Sequence, residues 1–415
     1  MTTATSTAAT ATATAVTGAG TAGASGNAGR SGVPDLAERL AAVTRVAERH
    51  LDRTERDASF PAEALAELRT TRLLGLQVPR EEGGLGGTLD DLVEAGMVLG
   101  RTDMSLAMIF VMHCQQAEAV VRHAASPLRE ELIPLLAEGK LYLASVTTES
   151  GKGADLFRSE APLHEADGTL EVDRTVPIST GGTSADGFLI TMRSPYATAD
   201  HHVSLVYAHR HQLDVEVTGE WNPMGMRATH SPPLKLRGRI PAHHVVGEHG
   251  AFHRIVQSVF GPLAHIGWSA VWLGTASGAL ARVLRLLRDP AGRKGRDLGS
   301  ELLLTRLSRA RQRLETVHAL LRRTQALAES GTDWSVTGHQ LLLNNLKITA
   351  AEECHAAVDE LVDALGLRHG YLRDSPTRLE KALRDLRSAA LNYGNDRLHL
   401  ADGRLCLLDP DVRFA

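Results

Sequence analysis

The sequence predicts an α+β fold with an N-terminal helical domain over residues 33–140, a middle β-sheet domain over 141–246 and a C-terminal four-helix bundle over 247–415. Three observations predict it. Apolar residues recur with a helical period up to about Lys140, and short alternating or β-branched runs replace that period until about Val246. The helical period then returns from Gly250, in segments long enough for a bundle.

The N-terminal zone begins after a segment of different composition. Residues 1–32 are almost entirely Ala, Thr, Gly and Ser, with Arg30 as the only charged side chain, so we expect a disordered tail. Asp35 and Glu38 then have the spacing of a capping box. One helical face carries Leu36, Leu40, Val43, Ala47 and Leu51. The four glycines of VPREEGGLGGTLDD predict an irregular loop between two helices.

The middle and C-terminal zones differ in period. Five runs predict strands: LYLASVTT, TLEVDRTV, GFLITMR, VSLVYAH and PLKLRGRI. Long segments with helical period follow, among them SELLLTRLSRARQRLETVHALLRRTQALAES and NNLKITAAEECHAAVDELVDALG. Clefts between such layers are the usual place for a cofactor, so we expect the functional site where the sheet meets the helices.

Composition narrows the class of protein. The chain has 45 basic and 49 acidic residues and a net charge of −4, which makes nucleic acid an unexpected partner. Cys114, Cys354 and Cys406 lie far apart, as expected for a reducing cytoplasm, and no residue set is assigned to a metal. We expect no membrane span, because no segment has about eighteen uninterrupted apolar residues.

The loop TTESGKGADL follows the first predicted strand and places two glycines around a lysine. It is not a P-loop, because no Lys-Ser or Lys-Thr precedes a helix. It also lacks the third glycine and the strand-loop-helix context of a dinucleotide-binding fingerprint. On these residues alone the loop is a turn within the β domain.

Several motifs together carry a family resemblance. TESGKGAD resembles the flavin-contacting Thr-Glu-Pro-Gly-x-Gly-Ser-Asp motif of the acyl-CoA dehydrogenase superfamily, and ISTGGTSAD resembles its second β-domain motif. WNPMGMRATHS and RIPAHHVVGEHG resemble the family's Gly-Met-Arg-x-Thr segment and its exit into the bundle. VPREEGGLGG and GYLRDSPTRLEKALRDLRSA extend the resemblance over nearly all of residues 34–408. It implies the acyl-CoA dehydrogenase fold and a flavin, FAD or alternatively FMN.

The resemblance also implies cofactor contacts in the β domain. Thr147 and Thr148 would lie along the flavin ring, and Ser179 would hydrogen-bond its N5 edge. The turn that contains Gly151, Gly153 and Ala154 would approach the pyrophosphate and the phosphate of the substrate, because glycine lets backbone amides come close. The family's loop serine is replaced by Ala154. Its ring-stacking tryptophan is replaced by Pro177, so aromatic cover of the ring must come from elsewhere.

Further contacts are implied in the bundle. Arg293 matches an arginine that reaches the FAD pyrophosphate of a neighbouring subunit. Gly366 and Gly370, in LGLRHGYL, match the glycine turn that receives the adenine-side diphosphate across the dimer, and Asn395 is assigned to the cofactor as well. We therefore expect a homo-oligomer, a dimer or a tetramer, with a flavin site shared between subunits.

The catalytic base of the family is missing. Acyl thioester dehydrogenation needs a carboxylate to remove the α-proton while hydride leaves for flavin N5. In LRDLRSAALNYGNDRL, Tyr393 stands at the position of the family's glutamate. The alternative position in the family, on the first bundle helix, is occupied by Gln257. Tyr393, Asp396 and His113 are therefore the candidates for proton transfer.

Three functions remain open from the sequence. The first is FAD-dependent oxidation of an acyl thioester carried by CoA or a carrier protein, with an electron-transfer partner. The second is a monooxygenase of the same fold, which takes reduced flavin from a flavin reductase and O₂, and needs no α-proton base. The third is a scaffold without flavin. The sequence narrowly favours the first, because no monooxygenase-type C-terminal histidine stands after Arg387 at the place where the helix would put it.

Overall fold

The structure of the chain, a computed structural model, describes residues 33–149, 155–292 and 294–415. The predicted tail, Gly151, Gly153, Ala154 and Arg293 lie outside the described residues. Five α-helices precede the first strand in the described part: α1 (Leu36–Asp57), α2 (Ala62–Thr70), α3 (Leu89–Thr102), α4 (Met104–His123) and α5 (Leu128–Ala137).

The ends of these helices differ from the predicted capping. The apolar face predicted for α1 is buried along its whole length. Asp35 precedes α1 with a φ of 61° and makes no side-chain cap, because this left-handed conformation is not the extended one that a cap requires. The capping box lies instead at α3, where the Thr88 side chain and Asp91 bond each other's backbone N–H groups.

The middle zone forms two four-stranded sheets. One sheet has the order β1-β4-β5-β8, with β1 (Leu143–Val146) parallel to β4 and the other pairs antiparallel. The second is antiparallel, with the order β2-β3-β7-β6. The remaining strands are β2 (His164–Ala166), β3 (Thr169–Val176), β4 (Gly187–Arg193), β5 (Val203–His209), β6 (Leu213–Val217), β7 (Leu234–Pro241) and β8 (Val245–Val246).

The last zone is helical. It contains α6 (Phe252–Ile255), α7 (Gly261–Arg288), α8 (Glu301–Glu329), α9 (Thr337–Gly366), α10 (Leu379–Arg387) and α11 (Asn395–Cys406). One π-helical turn, Val256–Phe260, joins α6 to α7. Helices α7 to α10 pack against one another as the predicted bundle. The windows of α4 and of the α6–α7 segment that are apolar enough to cross a membrane are 89% and 67% buried in the fold, as expected of core helices.

Helices α3 and α7 cross at backbone contact. A Cβ atom added to Gly274 would lie 2.3 Å from the carbonyl oxygen of Met97, and one added to Gly100 would lie 2.6 Å from that of Val271. The Thr275 hydroxyl also donates to the Gly100 carbonyl at 3.1 Å. Glycine is required at this crossing because any larger residue would push the two backbones apart.

We expect Gly274→Ala to lower the free energy of unfolding by about 1–3 kcal/mol, because the new methyl group overpacks the crossing. Gly403→Ala is the matched control. A Cβ at Gly403, an exposed position of helix α11, would meet nothing within 4 Å. The same change should be neutral or stabilise by up to about 1 kcal/mol there, because alanine favours helix. Urea unfolding of both variants tests this, and equal effects would contradict it.

A buried ionic cluster joins α10 to the N-terminal helices. The Lys381 ammonium lies 2.6 Å from Asp385 and 3.0 Å from Asp103, with Glu55 at 3.7 Å. The second carboxylate oxygen of Asp385 accepts the Met226 N–H at 2.7 Å. One lysine therefore connects α1, α4 and α10 with the loop that carries Met226.

Candidate functional site

A cavity of about 940 Å³ lies where the β1-containing sheet meets the helices. Its sheet wall contains Ser145, Thr147, Thr148, Ile178 and Thr180. The helical wall contains Met108, Met112 and Gln115 from α4, and Ala264, His265 and Trp268 from α7. Two irregular segments, 221–226 and 388–393, complete it, with Trp334, Gln340 and Asn344 at its far end. The cavity is therefore in the predicted place.

The sheet wall brings together only part of the predicted flavin contacts. Thr147 and Thr148 line the cavity, and the Thr148 hydroxyl donates to the Ile178 carbonyl at 3.2 Å. Ser179 is 1% exposed and its hydroxyl donates to the Ser145 carbonyl at 3.2 Å. Ile178 and Thr180, the residues on either side of it, line the cavity. Ser179 is not among the described lining residues, and its predicted contact with flavin N5 stays a prediction.

A buried ion pair anchors the start of the glycine loop. Arg174 and Glu149 lie 3.0 Å apart with side chains only 2% and 9% exposed. The Arg174 guanidinium also donates to the Thr148 carbonyl at 3.0 Å, and Glu149 accepts the Ser159 hydroxyl at 2.8 Å. These bonds hold Thr148 against the cavity. Sequence reasoning missed Arg174, because it alternates with exposed residues of β3 and gives no motif signal.

The family's base position projects into the cavity. Tyr393 lines it with a φ of 51°, a conformation that residues other than glycine rarely adopt and that is often found at functional sites. Burial, and then the charge of Asp155, raises the pKa of the Tyr393 phenol, so the phenol is neutral at physiological pH. Gln257, at the alternative base position, also lines the cavity.

The other two predicted bases lie elsewhere. His113 is completely buried: its Nε2 lies 2.8 Å from the Leu74 carbonyl and its Nδ1 accepts the Leu143 N–H at 3.0 Å. This histidine ties α4 to β1 and does not line the cavity, contrary to its predicted role. Asp396 is exposed in the first turn of α11 and is not among the lining residues. The structure thus leaves Tyr393 alone of the three at the cavity.

Three residues assigned to the cofactor also lie away from the cavity lining. The side-chain oxygen of Asn395 accepts a hydrogen bond from Lys347 at 2.7 Å, and its amide nitrogen donates one to Glu352 at 3.0 Å. Gly366 and Gly370 lie at the end of α9, where a Cβ on Gly370 would be 2.5 Å from the Val362 carbonyl oxygen. Gly370 is therefore explained by packing, and the predicted contacts across a dimer stay predictions.

A buried polar cluster that the sequence did not reveal supports the wall behind Tyr393. Lys347 is fully buried, and its ammonium donates to the Asn395 side chain and, at 3.4 Å, to the Tyr393 carbonyl. It also lies 5.7 Å from the centre of the Trp272 ring. His265 stands beside this cluster. Burial, and then the Lys347 charge, lowers the pKa of His265 to about 3, so its ring is neutral at physiological pH.

Lys347 should give the stability a recognisable pH dependence. Burial lowers the pKa of its ammonium from 10.5 to about 8. Below pH 8 both states are charged, and the folded protein bears the full cost of the buried charge. Between pH 8 and 10.5 the unfolded chain binds more protons than the folded one. This group therefore makes the free energy of unfolding rise with pH there, by at most about 1.4 kcal/mol per pH unit.

We expect Lys347→Met to abolish this rise. Urea unfolding at pH 7, 8, 9 and 10 measures the free energy of unfolding of wild type and variant. The value for wild type minus that for the variant should increase above pH 8. Lys140→Met is the control, because Lys140 is exposed. A wild-type minus Lys347→Met difference that stays constant with pH would refute the prediction.

No carboxylate lines the cavity among the described residues. The segments outside the description contain no Asp or Glu either. The titratable lining groups of the described chain are His265, Tyr393 and three arginines, Arg384, Arg387 and Arg404. The cavity can hold and donate protons through Tyr393, but it offers no carboxylate of this chain as a base.

The walls fit the flavin ring that the resemblance implies. Methionine and tryptophan side chains provide apolar faces, while the hydroxyls of Thr147, Thr148 and Thr180 provide a polar edge. His265 Nδ1 and Trp268 Nε1 are buried without hydrogen-bond partners. Buried polar atoms normally have partners, so a bound ring with polar edges would satisfy these two. Trp268 also offers the aromatic surface that Pro177 cannot supply.

Comparison with known proteins identifies relatives of two chemical kinds. Two family models match, "Acyl-CoA dehydrogenase, N-terminal domain" over residues 35–140 and "Acyl-CoA dehydrogenase, C-terminal domain" over 263–403. The acryloyl-CoA reductase (NADH) of Anaerotignum propionicum is 22% identical over 355 residues, covering 83% of this chain and 86% of the relative. The dibenzothiophene monooxygenase of Mycolicibacterium goodii is 24% identical over 232 residues, covering 54% and 56%.

Further relatives and solved structures are of the same two kinds, dehydrogenases and monooxygenases. The mitochondrial very long-chain specific acyl-CoA dehydrogenase of Bos taurus is 24% identical over 380 residues, or 88% of this chain, which spans only 56% of that relative. FMN-bound TdsC from Paenibacillus sp. A11-2 has a TM-score of 0.78 at 20% identity, covering 91% of this chain and 98% of that one. Butyryl-CoA dehydrogenase from Megasphaera elsdenii also has 0.78, at 18% identity, covering 90% and 98%. At these identities the structures establish the fold alone.

Proposed function

Because the chain belongs to the acyl-CoA dehydrogenase superfamily, we propose that it is a flavin-dependent oxidoreductase whose reaction takes place in this cavity. A bound flavin supplies two-electron transfer and, when reduced, reaction with O₂. Thr147, Thr148 and Thr180 would hold its polar edge, with Trp268 on an apolar face. The glycine-loop motif favours FAD, while the FMN-bound TdsC makes FMN the alternative. Mass spectrometry of the released flavin distinguishes the two.

The reaction that the cavity supports best is oxygenation. The observation that carries this proposal is the lack of a carboxylate among the described lining residues, because α,β-dehydrogenation requires a base for the α-proton. The sequence alone favoured dehydrogenation narrowly. The cavity walls reverse that preference, since neither Asp396 nor His113 is available there and Tyr393 is a neutral phenol.

The proposed oxygenation balances as follows. Reduced flavin gives two electrons to O₂, one oxygen atom enters the substrate, and the other leaves as water with two protons. A separate NADH-dependent flavin reductase would restore the reduced flavin. The substrate would be an apolar or aromatic molecule, because Met108, Met112, Trp221, Trp268 and Trp334 line the cavity.

Oxygen uptake tests this proposal. Purified protein, NADH and a flavin reductase should consume O₂ and form an oxygenated product when dibenzothiophene or indole is the probe. A reaction without the protein measures uncoupled oxidation of reduced flavin. Anaerobic bleaching of the bound flavin by a panel of acyl-CoA thioesters, without oxygen uptake in the first assay, would overturn the proposal. A protein that binds no flavin at all would support the scaffold alternative.

Acyl thioester dehydrogenation is the second candidate, and the cavity rim favours it. Arg387 and Arg404 are exposed lining residues for which the described part of the chain shows no ion pair. Such arginines suit the phosphates of CoA or of a carrier-bound pantetheine arm. Tyr393→Glu separates the candidates. It would restore a base and raise anaerobic bleaching by acyl-CoA about 10²–10⁴-fold if a thioester is the substrate. Under oxygenation we expect no gain.

We also propose a homo-oligomer. Large apolar side chains are 64–88% exposed at the start of α8, after α9 and at the C-terminal end: Leu302, Leu367, Tyr371, Leu407 and Phe414. Burial of such surfaces between subunits would be favourable. Light scattering on the purified protein measures the oligomeric state, and a monomer at micromolar concentration would contradict the proposal.

A further inference from the structure

A cluster of histidines lies between α5 and the β1-containing sheet, and none of its members lines the cavity. Glu131 comes from the first turn of α5, His209 from the end of β5, and His243 and His244 from the turn between β7 and β8. The ring of His243 is 4.9 Å from that of His244, which is 6.3 Å from that of His209. One ligand atom each from Glu131, His243 and His244 lies within 4.8 Å of the others.

The tautomer of His244 is fixed by its surroundings. Its Nδ1 lies 3.2 Å from the carbonyl oxygen of Tyr207, which can only accept, so Nδ1 carries the hydrogen. In the neutral ring, Nε2 therefore presents a lone pair to a Glu131 carboxylate oxygen 3.6 Å away. Two acceptors face each other at this point, an arrangement that a cation between them would stabilise. His244 is only 2% exposed, so bulk water can do little to separate and solvate the two acceptors.

The other carboxylate oxygen of Glu131 has a hydrogen-bond partner of its own. His209 Nε2 bonds this oxygen, and the Tyr207 hydroxyl lies 2.7 Å from His209 Nδ1. Metal ligands usually have such supports: the far nitrogen of a ligating histidine donates to a carbonyl, and a ligating carboxylate accepts from a neighbouring donor. Here both supports come from Tyr207, one through its carbonyl and one through its hydroxyl. The arrangement is oriented before any ion binds.

We propose that His244, His243 and Glu131 form a divalent transition-metal site that ties α5 to the sheet, with Zn²⁺ as the ion. Two imidazole nitrogens and one carboxylate oxygen are ligands that zinc accepts, and water would complete a tetrahedral set. His243 is exposed and can rotate toward the other two ligands. No sequence motif marks this site, because Glu131 lies more than a hundred residues before the histidine pair.

Zinc titration of untagged, chelator-treated protein tests the site. Wild type should bind one equivalent of Zn²⁺ per chain by calorimetry, and its melting temperature should rise by several degrees. His243→Ala and Glu131→Gln should each weaken binding by at least about 10-fold, since supporting residues alone contribute that much. His201→Ala is the matched control, an exposed histidine of the same zone paired with His202, and should bind as wild type does.

A structural readout accompanies the titration. Zinc should slow amide hydrogen exchange in α5 of wild type and of the control, and leave exchange in the two site variants unchanged. Because His243 is exposed, His243→Ala should melt close to wild type without zinc, so loss of binding would not reflect unfolding. Absence of saturable binding in wild type, or equal binding by all variants, would overturn the proposal. The cluster would then tie α5 to the sheet through hydrogen bonds alone.

Discussion

Tyr393→Phe should lower the turnover number about 10²–10⁴-fold, the usual contribution of one positioned proton-transfer group. Tyr393 lines the cavity as a neutral phenol with a proton to give, because burial raises its pKa above the ordinary value. The phenol therefore holds a proton for the oxygen atom that leaves as water. Phenylalanine keeps the ring and the packing but removes that proton.

Steady-state kinetics with the reductase-coupled assay measure the effect. We expect kcat to fall while KM changes little, because the lost interaction belongs to the transition state. Tyr371→Phe, at an exposed position after α9, is the control and should behave as wild type. A kcat for Tyr393→Phe within a factor of three of wild type would show that solvent supplies the proton.

Lys381→Ala should lower the free energy of unfolding by about 3–5 kcal/mol. The reason is the buried cluster around this lysine: removal of the ammonium leaves Asp103 and Asp385 buried close together without their shared cation. The bond from Asp385 to the Met226 N–H would weaken as well, so the cavity should lose its shape near Met226.

Urea unfolding at neutral pH measures this loss. Lys140→Ala provides the same substitution at an exposed ion pair with Glu138, where the cost should not exceed about 1 kcal/mol. Comparable costs at the two lysines would mean that the buried cluster is compensated by water or by protonation of its carboxylates. Reduced flavin content in Lys381→Ala, with unchanged content in Lys140→Ala, would connect the cluster to the site.

The fold was predictable where burial imposes a period on the sequence. The five predicted strands all form, because their inward positions must be apolar, and the α8 and α9 segments follow for the same reason. Strands β2, β6 and β8 were missed. They are short, and β2 and most of β6 are exposed, so they carry little apolar pattern. Their pairing with longer neighbours is what defines them.

The site was predictable only where a motif marks it. Thr147, Thr148 and Tyr393, which the motifs single out, line the cavity, whereas Ser179 is buried and bonds the Ser145 carbonyl. Their predicted contacts with a flavin stay predictions. The polar cluster could not be found from the sequence. Lys347 and Asn395 are 48 residues apart, and neither belongs to a pattern until α9 and α11 pack together.

The crossing of α3 and α7 decides which side of the cavity can open. Ala264, His265 and Trp268 belong to α7, whose backbone touches that of α3, so this wall cannot retreat without separating two helices. The segments 221–226 and 388–393 have no regular secondary structure and are held at Met226 and at Tyr393, so only the residues between these anchors can adjust. Substrates of different size would therefore be accommodated by these segments. We therefore expect substitutions that change the substrate range to fall in these two segments and not in α7.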